Sequence, residues 1–380
     1  MSQLLTRGIL EDIAERIGID AIGVTDARPF LELKPILEAY REHGYETGFE
    51  HPVIEERMDP SLLVPDAKSI IAIAIAYKTA QTDRTRKPAE GIRGMVSKYA
   101  WGKDYHHVLR EKLVQLVAEL EVYAGHPFQY HMSVDTGPMV DRAVANRAGI
   151  GWVGKNCSII TEAHGSWVFL GQLVTDLPFA EWSQPILSQC GDCDLCITAC
   201  PTGALTPFST NSSKCLSYIT QMKGHIPEEY RKKLGKRIWG CDTCQVVCPE
   251  NKHPNLLLSL HEQFLPEPEL AYPDLMAILE MSNRQFKRIF GHTALAWRGL
   301  KVMQRNAILA LGNLHDQRAI PKLKALVEDP REEIRAAAAW SLGQIGSSDQ
   351  IPFLHTALEQ ETDEVVKHEI LQAIQQLESV

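Results

Sequence analysis

No stretch of this 380-residue chain approaches the roughly 18 consecutive apolar residues needed to cross a bilayer, which argues against a membrane protein. The opening segment MSQLLTRGILEDIAERIG carries acidic residues within an amphipathic pattern. It lacks the apolar core and small-residue cleavage site of a secretory signal. Positive charge is in deficit: 39 Lys and Arg stand against 48 Asp and Glu, a net of -9. A surface that acidic repels phosphate and excludes indiscriminate nucleic-acid binding, though not a local basic patch. Cysteine is scarce outside two short clusters, which hold seven of the nine. Together these absences predict a cytoplasmic protein, in which clustered cysteines are metal ligands rather than disulfides.

What is present divides the chain into three. Residues 1–180 mix helix and strand signals: DAIGVTDA reads as a short strand, and SIIAIAIAY (Ser69–Tyr77) and SWVFLGQLVTD (Ser166–Asp176) as strands of a buried sheet. Between the two longer runs, HVLREKLVQLVAELEVYAG has helical spacing and stops on Gly125, so an α/β domain is expected. Residues 181–260 hold the cysteine clusters among Pro and Gly, a composition too poor in apolar periodicity to fold without staples. Residues 275–380 repeat themselves at an offset of 31, matching Leu311-Gly312 to Leu342-Gly343 and Ile320-Pro321 to Ile351-Pro352. That period predicts an all-α, HEAT-like stack of helix pairs, a scaffold that most often presents a binding surface.

The spacing Cys190-x2-Cys193-x2-Cys196-x3-Cys200-Pro is that of a bacterial ferredoxin. Three closely spaced thiolates wrap one 4Fe-4S cubane while the cysteine before Pro ligates the other. Cys241-x2-Cys244-x3-Cys248-Pro lacks its first cysteine, and the isolated Cys215 supplies an eighth ligand. The pattern assigns Cys190, Cys193, Cys196 and Cys248 to one cluster and Cys200, Cys215, Cys241 and Cys244 to the other. A zinc site is the competing reading, but zinc normally closes on paired C-x2-C units. Cys157 is left over and reads as a buried structural thiol. Two adjacent cubanes conduct single electrons, so the chemistry is expected in the α/β domain.

Between Met281 and Ala310 lie Arg284, Lys287, Arg288, Arg298, Lys301 and Arg305 with no Asp or Glu. Such a run is either a solvated helix face or a phosphate-binding surface on the helical stack. The sequence KDYHH at Lys103–His107 reads on its own as the cap of a helix.

WGKDYHHVLREKL, VDTGPMVDRAVANRAGIGWVGKN, the ferredoxin block with YITQMKG, and WRGLKVMQRNAILALGN occur in the order found in the epoxyqueuosine reductases, and the chain resembles that family over nearly its whole length. The resemblance implies an oxidoreductase that converts epoxyqueuosine to queuosine at the wobble position of tRNA, the last step in making that base. It implies a cobalamin fed by two 4Fe-4S clusters, a cofactor set similar to that of the reductive dehalogenases, and a nitroreductase-like first domain. The D-x-H-x-x-G signature of a histidine lower ligand is absent, so the implied cobalamin is base-off without one. By the same resemblance Asp135 is the proton donor, expected to be desolvated with its pKa raised. Arg57, Ser97, Ile159, Leu170, Ser217, Asp242 and Thr243 join Asp135 around the cobalamin. Arg57 and Ser97 read equally well as surface groups. Tyr105 and His106 line the substrate pocket, and Lys223, Arg284, Arg298, Lys301 and Arg305 hold the anticodon arm. An external electron donor and a monomeric state complete the expectation. Two rivals keep parts of this reading: a dehalogenase-like reductase of small organohalides, and a two-cluster electron carrier docking a protein partner.

Overall fold

The computed structural model describes residues 4–253 and 255–379. The chain forms two compact units, each built from separated stretches. The first takes the chain up to Asp83, Lys103–Ser213 and Thr243–Leu265; the second takes Arg84–Gly102, Lys214–Asp242 and the chain from Pro266 onward.

In the first unit, helix α1 (Arg7–Ile17) precedes a sheet of four strands, β1 (Ala21–Asp26), β2 (Ser69–Ala76), β3 (Tyr130–Ser133) and β4 (Val168–Thr175). The order is β1-β2-β4-β3 and every pairing is antiparallel. All eight residues of β2, SIIAIAIA, are buried, which requires cover on both faces. Ile70, Ala72 and Ala74 pair with Val174, Gln172 and Leu170 on the face carrying helix α3 (Asp141–Arg147), whose Val144 and Ala145 join the same core. Ile73 and Gly171 face the other way, toward Leu109 of helix α2 (Tyr105–Ala124). Small side chains let α3 come close. A Cβ on Gly23 in β1 would lie 1.9 Å from the carbonyl oxygen of Ala148, so only glycine fits there.

The expected strands and the α2 helix form, with Asp104 as N-cap and Gly125 closing the helix at φ 73°. The edge strand β3 is additional. The cysteine-bearing stretches of this unit contain only short pieces, such as helices Leu195–Thr198 and Thr243–Val246. Side-chain hydrogen bonds hold them. Asn251 donates to Ser166 Oγ at 2.8 Å and accepts from Ser166 N–H at 2.7 Å, while Gln245 donates to Ser166 O at 2.9 Å.

In the second unit a parallel pair, Met95–Val96 with Arg237–Trp239, accompanies the helical stack. The stack contains α4 (Leu300–Leu314), α5 (Ile320–Leu326), α6 (Glu332–Ile345), α7 (Ile351–Gln360) and α8 (Glu364–Glu378). The repeated Leu-Gly pairs have a packing cause: a Cβ on Gly312 would lie 2.8 Å from Ser341 Oγ, and one on Gly343 would lie 2.9 Å from Ala373 Cα. Gly312 makes room for the Ser341 and Trp340 side chains of the next inner helix, and Gly343 lets the backbone at Ala373 come close.

Several polar groups buried in this unit are paired. Arg231 and Glu369, 6% and 7% exposed, form two hydrogen bonds of 2.6 Å. Asn306 donates to the carbonyls of Thr220 and Ile238, and Asn313 to those of Arg231 and Gly235. Among the described residues no helix is long and apolar enough to cross a membrane.

Removing one partner of a buried pair leaves the other charge uncompensated. Glu369→Ala is expected to destabilise the second unit by about 3–5 kcal/mol in urea unfolding of the full chain, and an unchanged midpoint would contradict the structural role given to this pair.

Candidate active site

Strand β3 ends in Ser133, and the chain turns through Val134–Pro138 before entering α3. Asp135 occupies the left-handed region at φ 57°, a conformation that short polar side chains tolerate best after glycine. Gly137 packs against Ser133, where a Cβ would fall 2.4 Å from its side chain. This turn aims the Asp135 carboxylate outward, its side chain 63% exposed.

Two groups from the start of α2 converge on it, and a third holds one of them. Tyr105 OH donates to Asp135 Oδ2 at 2.6 Å, and His106 Nε2 lies 3.6 Å from the same oxygen. His106 Nδ1 is 2.7 Å from Asp104 Oδ1, which also accepts from the His106 backbone N–H at 3.0 Å. Stacking fixes the rings: Tyr105 lies between His106, at 4.1 Å, and Phe169 of β4, at 4.4 Å and 6°.

The electrostatics correct one expectation. Burial pushes the Asp135 carboxyl up, but the imidazolium of His106 close by, the hydrogen bond from Tyr105 and the charge of Arg142 outweigh it and hold the pKa below the usual value. Asp135 is therefore ionised at neutral pH. Burial likewise works against His106, yet Asp104 and Asp135 raise it to about 9. Asp104 itself is held low: burial is outweighed by hydrogen bonds from His106 and by the charges of His106 and His107. The raised carboxyl is Asp141, at the first position of α3, pushed to about 8 by burial and by the charge of Asp135. It accepts from Gln172 Nε2 at 2.9 Å. A cleft of about 310 Å³ beside the turn is lined by His106, His107, Arg110, His131, Ser133 and Thr136, among others.

Of the residues assigned to the first cluster, Cys190 and Cys248 pack with Trp152, Ile160 and Ile186. Burial raises the thiols of Cys196 and Cys248; the charge of Cys248 adds to Cys196, and that of Cys190 adds to both. Thiols that would repel as thiolates are what an iron cluster neutralises, and backbone N–H groups already face sulfur: Lys155 to Cys190 at 3.4 Å and Ala204 to Cys200 at 3.3 Å. Sulfur-facing N–H groups of this kind suit an iron-sulfur cluster. The second quartet divides between the units, Cys200 and Cys244 in the first and Cys215 and Cys241 in the second. Cys157 is buried, as expected.

The other expected residues distribute similarly. Arg57, Ile159, Leu170 and Thr243 belong to the first unit; Ser97, Ser217 and Asp242 belong to the second. Arg57 is 9% and Ser97 6% exposed, so neither is a surface group. Arg57 has one long ion pair, 3.5 Å to Glu46, and burial lowers its pKa. Ser97 Oγ donates to Asp242, whose other oxygen accepts from Lys98 N–H at 3.0 Å. Ile159 is buried, Leu170 is half-buried against the same core, and Ser217 O accepts from Gln221 at 2.9 Å.

The basic stretch needs two corrections. Arg305 is 2% exposed and donates to the carbonyls of Met222 and Gly224 at 2.8 and 2.6 Å, so it cannot meet a phosphate. Its role is to hold the turn from which Lys223 is exposed. Lys301 is exposed but paired with Glu333 at 2.6 Å, which cancels its charge. Arg284 is exposed, and Arg298 stacks over Trp297 at 3.8 Å. Asp104, Asp141 and Gln172 had no functional reading in the sequence; only the cap signal marked Asp104.

Comparison with known proteins completes the picture. Residues 57–136 match the family profile described as epoxyqueuosine reductase QueG, DUF1730, residues 189–251 a 4Fe-4S double cluster binding domain, and residues 299–375 HEAT repeats. The chain is 47% identical over 372 residues to an epoxyqueuosine reductase of Bacillus subtilis (strain 168), covering 97% of this chain and 95% of that one. It superposes with a TM-score of 0.92 on an epoxyqueuosine reductase crystallised with an epoxyqueuosine-modified tRNA-Tyr stem loop, at 46% identity and 98% of each chain. A Bacillus subtilis epoxyqueuosine reductase whose aspartate-bearing catalytic loop is swung out of the active site matches with a TM-score of 0.90, at 46% identity and 98% of each chain. With this identity running over nearly its entire length, the chain belongs to the epoxyqueuosine reductase family.

Proposed function

We propose that this chain reduces epoxyqueuosine to queuosine at the wobble position of tRNA in the cytoplasm, as a monomer fed by an external electron donor. The observation that carries the reading is the Asp135 turn, an exposed carboxylate set by Tyr105 and His106 in a chain of this family. Its relatives include one solved with a tRNA stem loop bearing that base and one whose aspartate-bearing catalytic loop is swung out of the active site. The working division is a nitroreductase-like α/β domain at 1–180, a two-cluster domain at 181–260 and a tRNA-binding helical stack at 275–380.

Arg57, Ser97, Ile159, Leu170, Ser217, Asp242 and Thr243 would hold cobalamin. Buried polar groups such as Arg57 and the Ser97–Asp242 pair suit a ligand with a large apolar face and an amide-rich edge. Cobalamin bound there would supply low-valent cobalt as the reductant, and the two cysteine quartets would hold the clusters that feed it electrons. The chain's own residues do the rest. Losing the epoxide oxygen as water takes two protons, and Asp135 Oδ2 delivers a proton to that oxygen. Tyr105 and His106 orient Asp135 and border the base, which must be splayed out of the anticodon loop to reach them. Lys223, Arg284 and Arg298 are the cations that meet backbone phosphate, with Lys301 contributing little while Glu333 holds it.

Anaerobically purified protein supplied with cobalamin is expected to hold about eight iron and one cobalt. Asp135→Asn is expected to keep both metals while turnover of epoxyqueuosine tRNA falls at least about 100-fold; undiminished turnover would remove Asp135 from the chemistry. Arg284→Gln with Arg298→Gln is expected to weaken tRNA binding and to reduce the slope of log affinity against log salt by about two, whereas Lys301→Gln alone changes the slope little. An unaltered slope in the double variant would move the tRNA surface elsewhere.

A further inference from the structure

One carboxylate oxygen, Asp104 Oδ1, accepts both the backbone N–H and the ring Nδ1 of His106, at 3.0 and 2.7 Å. An ionised carboxylate only accepts, so Nδ1 carries a hydrogen and the tautomer is fixed. The other ring nitrogen has an unusual position. His106 Nε2 is shielded from solvent, has no hydrogen-bond partner, and stands 3.6 Å from Asp135 Oδ2, just beyond bonding range. Rotating the ring to find a partner would break the Asp104 bond and the 4.1 Å stack on Tyr105. A buried nitrogen left without a partner is costly, and its alignment on an exposed carboxylate gives it a use.

We propose that Asp104 and His106 are the proton supply of Asp135, with Asp104 a positioning residue that fixes the ring and Nε2 the atom that hands the proton to Oδ2. This rests on the reductase reading above. In the step, the Nε2–H bond breaks and an O–H bond forms on Asp135, turning imidazolium and carboxylate into their neutral forms. That O–H then breaks as its proton moves to the departing oxygen, which keeps the electron pair of the broken C–O bond; the two electrons of the reduction come from the external donor. Removing the oxygen as water consumes two protons, so His106 is recharged once from solvent through the cleft it lines with His107, Arg110 and His131.

The charges around the dyad agree with this direction. At rest Asp135 is ionised and the proton sits on His106. Around the pair are Asp104 at the cap of α2, Tyr105, His107 and Arg110 on α2, Arg142 and Asp141 on α3, and His131 on β3. A bound base excludes water from the imidazolium–carboxylate pair, and loss of water favours the neutral form, which draws the proton onto Asp135 as substrate arrives.

Asp104→Asn tests the idea, since Asn keeps the helix cap and an oxygen for Nδ1–H but removes the charge. Asp104→Ser keeps only the cap and serves as the second variant. In the cobalamin-loaded enzyme, the basic limb of the kcat–pH profile is expected to move from near 9 toward the ordinary histidine value. At pH 8.5 kcat should fall about tenfold or more, with KM for tRNA and both metal contents unchanged. Histidine-selective ¹⁵N NMR of the oxidised holoenzyme, with His106 assigned through His106→Gln, should show the same downward shift in its titration. A limb that stays in place overturns the proposal, whether or not the NMR titration moves: His106 then only holds Asp135 ionised. A wild-type enzyme that never turns over epoxyqueuosine tRNA would instead overturn the reductase reading, and the supply with it.

Discussion

The close seating of α3 on the sheet fixes the geometry from which the active-site turn follows. β2 alternates isoleucine with alanine, and the alanine face, together with Gly23 in β1, removes the side-chain volume that would hold a helix away. α3 therefore starts close to the end of β3, and the residues between them have little freedom. Asp135 takes a left-handed conformation because the turn is short and must present its side chain toward the start of α2. The first turn of α2 is equally determined, since Phe169 of β4 provides the flat surface on which Tyr105 stacks.

Within that frame two carboxyls six residues apart acquire opposite character. Asp135 is reached by donors and stays ionised, whereas Asp141 is enclosed, meets one amide and the field of Asp135, and keeps its proton near neutrality. The ionised Asp135 makes Asp141 more extreme, because a second negative charge at this spacing is unfavourable. The site thus stores one negative charge at a chosen place instead of sharing it between two.

Much of this was legible beforehand. Repetition at an offset of 31 and cysteine spacing are signals of period and count, which survive without knowledge of tertiary contacts. The long apolar runs became strands for the same reason. What escaped depends on neighbours distant in sequence. β3 is four residues of mixed polarity, YHMS, and becomes a strand only because β4 offers an edge. Asp135 was expected to be raised by burial, but its donors come from 30 residues upstream. Arg305 resembled its basic neighbours in every local respect, yet it lies on a helix buried almost all round, and its guanidinium faces carbonyls.

That last arrangement ties two properties together. The Arg305 guanidinium is held in the interior of the helical stack, and its hydrogen bonds fix the backbone on either side of Lys223. A lysine on a free loop can be replaced or shifted by drift with little effect on folding. Here the turn and the interior of the repeat form a single construction, so change in the repeat is filtered by whether Lys223 still points outward. Over evolutionary time the interior of this scaffold is expected to diverge more slowly than its architecture alone would require.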